Sequence, residues 1–128
     1  MSTYRTPLSR ARGLGSAKHG VGHWISERVA AVALVPLVLW GAYSVILLAQ
    51  TDYYGAIHWV AQPLNATLTI LLIAVSFMHM VAGLRVVIED YIHKTLTKAA
   101  LLMLNVFVGG LAGALAIFSI LKVALGGA

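Results

Sequence analysis

The sequence contains no cysteine, so disulfides, thiolate nucleophiles, iron–sulfur ligation and zinc–thiolate sites are all excluded within this chain. Charge is nearly as scarce. Only 10% of the residues are Asp, Glu, Lys or Arg, where a soluble domain carries about a quarter, and just four are acidic. Neither an internal repeat nor a low-complexity segment is evident. What is abundant is apolar surface: 60% of the 128 residues are hydrophobic and the mean hydropathy is +0.89. These proportions define an integral membrane protein. The formal net charge of +5 would point to nucleic acid in a soluble protein. Here the basic residues flank apolar runs, where they set orientation, and no nucleic-acid partner is expected.

Three uncharged stretches, residues 29–50, 53–84 and 99–121, are each long enough to cross a hydrocarbon core of roughly 30 Å, which takes about 20 helical residues. The middle one is too long for a single straight span. Its first third holds Tyr53, Tyr54, Gly55, His58, Trp59, Gln62 and Pro63, a polar-aromatic set suited to an interfacial loop, with Pro63 near the start of the following helix. The expected fold is an all-α integral membrane protein with three transmembrane helices. Its parts are a basic arm over 1–28, a first helix over 29–50 and an outer loop over 51–62. A second helix over 63–84 extends into a charged segment at 85–98, followed by a third helix over 99–121 and an outer tail at 122–128.

Orientation follows from the basic residues. Arg5, Arg10, Arg12, Lys18 and Arg28 precede the first helix, and Arg85, Lys94 and Lys98 lie between the second and third. The connection at 51–62 has no Lys or Arg, and the tail has only Lys122. By the positive-inside rule the N-terminus and the 85–98 segment face the cytoplasm, or a mitochondrial matrix, and the C-terminus faces the other side. Residues 1–20 are rich in Arg and Ser and lack acids, as an organellar transit peptide does. A basic flank is the preferred reading, because the arm runs without interruption into Arg28 and the first helix. Gly13, Gly15, Gly20 and Gly22 argue against a strong amphipathic helix there. A bacterial inner membrane is accordingly preferred to a mitochondrial one.

Pro36 removes one backbone hydrogen bond from the first helix and is expected to kink it, as a tolerated membrane proline. Trp40 and Tyr43 lie toward its outer half, where interfacial aromatics collect. In the third helix Gly109 and Gly113 stand four apart among Gly110, Ala112, Ala114 and Ala116. This smooth stripe lets another helix approach closely, inside or outside this chain.

The second helix carries one ionisable side chain near its far end, His79. A histidine in a membrane span is costly unless partnered, so it is a candidate functional residue, and its partner is either a polar group on another helix or a metal. At 100° per residue, Asp90 falls within about 20° of the direction of His79 if the helix continues, and Gly83, one turn along, leaves that face open. A flat ligand can lie there, and an axial histidine for haem iron fits the pattern, as does a histidine hydrogen-bonded to a neighbouring helix. A bis-histidine haem needs a second ligand at the same depth. His58 lies about 31 Å away along a continuous helix, near the opposite surface, and His19, His23 and His93 are in flanking segments. The second ligand would have to come from a partner subunit, making the three helices part of a heteromeric bundle.

The run from His79 through Met80, Val81, Ala82, Gly83, Leu84, Arg85, Val86, Val87, Ile88 and Glu89 to Asp90 and Tyr91 resembles the signature of the hydrophobic membrane anchor subunits of succinate dehydrogenase (respiratory complex II). In that family a haem-ligating histidine precedes an Asp-Tyr pair at this spacing. The arm from Thr6 to Ala17 is similar to that of alphaproteobacterial members, and Arg28 resembles the family's arginine at the start of the first helix. Length and topology match as well, so the resemblance covers nearly the whole chain.

The resemblance implies that His79 is one axial ligand of haem b, the other coming from the cytochrome b membrane subunit. It implies that Tyr91 hydrogen-bonds a ubiquinone carbonyl with Asp90 beside it, and that Arg28 lies near the haem propionates or the quinone pocket. Flavin and iron–sulfur clusters would reside in the flavoprotein and iron–sulfur subunits, docked on the cytoplasmic face, and none in this chain, which is no enzyme by itself. A fumarate reductase anchor is the alternative within bioenergetics. A small non-redox transport subunit with His79 in a proton relay is the alternative outside it. Read without the resemblance, Tyr91 is an interfacial anchor and Asp90 a helix-end charge.

Overall fold

A computed structural model describes residues 6–8 and 20–126. Arg5, Arg10, Arg12, Lys18 and His19, and with them the transit-peptide alternative, lie outside the described residues, as does the His23 side chain. Among the described residues four helices account for nearly all the structure: α1 (Gly20–Leu48), α2 (Tyr53–Ala61), α3 (Pro63–Tyr91) and α4 (Thr95–Ala124). Three of them are long and apolar enough to cross a membrane: Trp24–Leu48 within α1, all of α3 and all of α4.

Helix α1 is already helical at Gly20, well before Val29, and includes both Gly20 and Gly22. Each glycine costs about 1 kcal/mol relative to alanine, but a helix already established in the membrane gains a backbone hydrogen bond with every residue it adds. The helix also continues through Pro36. It has almost no polar face, as befits a segment surrounded by apolar material on every side. Its covered residues, among them half-buried Ala30, Leu34, Leu37 and Gly41 and buried Ser44, recur with helical spacing and mark the side that meets α3. Ser44 is buried, and its hydroxyl donates to the Trp40 carbonyl at 2.8 Å, leaving no unpaired polar atom there.

The connection expected as a loop holds a short helix. Thr51 donates its hydroxyl hydrogen to the Leu48 carbonyl at 2.8 Å, closing α1, and Asp52 then caps α2 by accepting from the Gly55 amide at 2.8 Å. That cap is worth about 1 kcal/mol, and it turns an aromatic-rich interfacial stretch into regular structure. Trp59 of α2 stacks on Trp40 of α1, with ring centroids 5.7 Å apart. The Asn65 amide of α3 donates to the Trp59 carbonyl at 3.0 Å. The short helix is thereby fastened to both of its long neighbours. Pro63 opens α3, where its missing amide hydrogen has no cost.

Helix α3 is 29 residues long, about 43 Å, and runs unbroken through the charged segment to Tyr91. After Ile92, His93 and Lys94, α4 begins at Thr95, earlier than the sequence pattern implied. Lys98 is therefore helical, and its ammonium group donates to the Glu89 carbonyl of α3 at 3.0 Å. The main packing of α3 is against α4, with α1 on another side and little direct contact between α1 and α4. At Gly41 an added Cβ would come 2.7 Å from Leu72, so the absent side chain sets how closely α1 and α3 approach. The expected smooth stripe of α4 faces α3: a Cβ on Gly109 would collide with Val81, and one on Gly113 would sit 3.2 Å from Phe77. Both glycines are buried.

Candidate functional site

The site is built on α3 as two opposed faces. Phe77 and Val81 point at the glycine stripe of α4. Nearly half a turn away in helical angle are His79, Gly83 and Asp90, within about 40° of one another because α3 stays helical throughout. A Cβ on Gly83 would meet nothing within 4 Å. His79, Asp90 and Tyr91 are all exposed in this chain, Tyr91 by 76%, and none of them has a side-chain hydrogen bond or ion pair with another described residue.

Charge begins about 9 Å beyond His79, counted as helical rise to Arg85. The Arg85 guanidinium bonds Glu89 one turn on, Nε to Oε1 at 2.8 Å, which leaves Asp90 as the carboxylate of this end without a cation among the described residues. Arg28 sits on α1 with its guanidinium over the Trp24 ring, 5.4 Å from the centroid. Measured from the Gly41–Leu72 contact, Arg28 and Arg85 each lie about 20 Å toward the basic end and His79 about 10 Å. Arg28 is thus at the level of the first charges of α3. Three of the residues expected in the site share α3, and Arg28 stands on α1, which meets α3 through Leu72, about 20° from the direction of His79.

One residue that pattern reading passed over takes part from behind. Asn105 of α4 donates its amide hydrogen to the Val81 carbonyl at 2.8 Å. It stands four before Gly109 and eight before Gly113, so a polar residue continuing the small-residue stripe was the available signal. Along the same seam, Arg85, Asn105 and Gly109 help to line an open groove of about 720 Å³ between α3 and α4. Among the described residues no three His, Asp or Glu side chains gather to hold a bare metal ion. An exposed histidine beside a glycine cradle fits instead a flat macrocycle that brings most of its own iron ligands.

The architecture is that of a small membrane subunit, with three apolar helices and a polar edge along one of them. Residues 2–119 match the family model of the succinate dehydrogenase/fumarate reductase transmembrane subunit. The succinate dehydrogenase hydrophobic membrane anchor subunit of Paracoccus denitrificans is 33% identical over 96% of this chain and 95% of its own length. Those of Rickettsia bellii and Rickettsia conorii are 34% and 31% identical, each over 70% of this chain and 71% of theirs. No solved structure gives a significant match. The chain belongs to the succinate dehydrogenase/fumarate reductase transmembrane subunit family, on the branch of the alphaproteobacterial hydrophobic anchor subunits, and is therefore one part of a larger complex.

Proposed function

We propose that this anchor subunit, together with a cytochrome b membrane subunit, holds haem b and forms a ubiquinone site. It also docks the flavoprotein and iron–sulfur subunits on the cytoplasmic face of a bacterial inner membrane. The observation that carries the reading is the His79 face of α3: an imidazole within the apolar span, without a partner among the described residues, beside a glycine with open space over it. A histidine so placed is expensive unless something outside the chain engages it. The eight basic residues on one side of the spans support a cytoplasmic N-terminus and 85–98 segment.

Within this division of labour, His79 would hold the haem iron through its imidazole, beside the open space over Gly83. When bound, the haem would supply a one-electron redox centre in the membrane. The Tyr91 phenol, exposed at the end of α3, donates a hydrogen bond to a quinone oxygen, a bond that strengthens as charge develops there. Asp90, next to it and on the His79 side, can pass protons between water and that oxygen. Arg28 supplies positive charge at the same level. Purification through a tag on this chain tests the proposal: a flavoprotein, an iron–sulfur protein and a low-spin bis-histidine haem spectrum should arrive together. Arrival of the proteins without haem would remove the haem assignment, and arrival of neither soluble subunit would remove the whole reading.

A further inference from the structure

We infer that Asn105 is a positioning residue for the His79 face: its hydrogen bond to the Val81 carbonyl fixes the rotation of α3, and so sets where the His79 imidazole points. The inference rests on the proposed haem site. A glycine seam alone is smooth. Gly109 and Gly113 let α3 lie close to α4, with Val81 and Phe77 against them, but these contacts are apolar and carry no directional bond. Asn105 supplies one. Its amide reaches a specific backbone atom two residues from His79, half-buried between two apolar helices.

The Val81 carbonyl has two lone pairs. One serves the helical bond from the Arg85 amide, so Asn105 can add its bond without breaking the helix. Rotation about the axis of α3 would stretch this bond at once. A side-chain tip rides about 5–6 Å from the helix axis, so a rotation of 20° would carry the imidazole about 2 Å. A misplacement of about 1 Å in a reacting group can cost roughly a hundredfold in rate. The bond faces away from the ligand side, which separates its effect on position from any direct contact with haem.

The test uses the intact purified complex. Asn105→Leu keeps the approximate volume and removes the donor. It should retain haem at wild-type stoichiometry, while the haem midpoint potential and the electron-spin resonance g-values, which report imidazole orientation, shift. Asn105→Gln keeps the amide and should lie between Leu and wild type. Succinate oxidation with an artificial acceptor should be unaffected. Wild-type potential and g-values in assembled Asn105→Leu complex would overturn the inference while leaving the haem reading intact. If the Leu variant does not assemble, the same two measurements on Asn105→Ser decide, a shift supporting the inference and its absence overturning it. A His79→Ala complex with unaltered haem signals would remove the haem reading, and this inference with it.

Discussion

The two readings of Gly83 give opposite signs for one substitution. In this chain a Cβ at Gly83 meets no atom within 4 Å, so Gly83→Ala should relieve the helix of a flexible residue and stabilise α3 by about 1 kcal/mol. If that face is only lipid-exposed, Gly83→Leu should be equally harmless. If haem lies against it, the leucine side chain must occupy the space of the macrocycle edge. Overpacking of that kind typically costs about 1–3 kcal/mol, roughly a 5- to 160-fold loss of occupancy when ligand is limiting. Gly109→Ala serves as the contrasting control, since its Cβ runs into Val81; it should lower the thermal stability of the complex, and it adds no atom on the Gly83 side. The assay is haem per complex by the pyridine haemochrome spectrum, alongside a thermal melt. Full haem content and a wild-type reduced-minus-oxidised spectrum in Gly83→Leu would refute the reasoning.

Other outcomes follow from the same geometry. His79→Ala should abolish the low-spin bis-histidine spectrum while succinate oxidation with an artificial acceptor persists; an unchanged spectrum would mean that His79 is no ligand. Tyr91→Phe keeps the ring but loses the phenolic donor, and should slow succinate–quinone turnover by roughly 30- to 1000-fold, about 2–4 kcal/mol. A wild-type rate and KM for quinone would remove Tyr91 from the site. In this cysteine-free chain, single cysteines at Thr51 and Thr95 should be labelled from opposite sides of the membrane, and labelling of both from one side would contradict the proposed topology.

Hydropathy made the three spans legible because a bilayer leaves little choice: an apolar run of the right length has to satisfy its backbone internally, and a helix does so. Their ends were less legible. Leu48, Thr51 and Asp52 form a stop and a start within a few residues, and the aromatic content that follows reads equally well as interfacial loop or interfacial helix. At the basic end, α1 and α4 begin earlier than their apolar runs, because a helix does not stop where hydrophobicity does. The face of α3 that carries His79, Gly83 and Asp90 was readable, since angular position on a continuous helix follows from numbering alone. The direction of the glycine stripe was not, because Gly109 and Gly113 look the same whether the neighbour is in this chain or another. Asn105 was missed for a related reason: its partner is a backbone carbonyl on a different helix, and sequence does not mark such an acceptor.

Exposure on this chain carries a different meaning from exposure on a soluble protein. Among the described residues only Ser44, Ala66, Gly109 and Gly113 are buried. In water, so much uncovered apolar surface would demand a partner. In a bilayer Val, Leu and Phe meet lipid tails as apolar as themselves, so the many exposed aliphatic residues of α1 and α4 do not require a second protein. The requirement comes from the polar exceptions. Ser44, Thr69 and Ser119 each spend their hydroxyls on a carbonyl one turn back in their own helix. Asn65 and Asn105 find carbonyls on neighbouring helices. His79 alone among the side chains named for the site lies inside the apolar part of a span without such an outlet, and it stands on the face of α3 turned away from α4. The proposed site therefore has a direction: His79 lies within about 20° of Leu72, on the side of α3 where Leu72 meets Gly41 of α1, and the seam with α4 closes the opposite side.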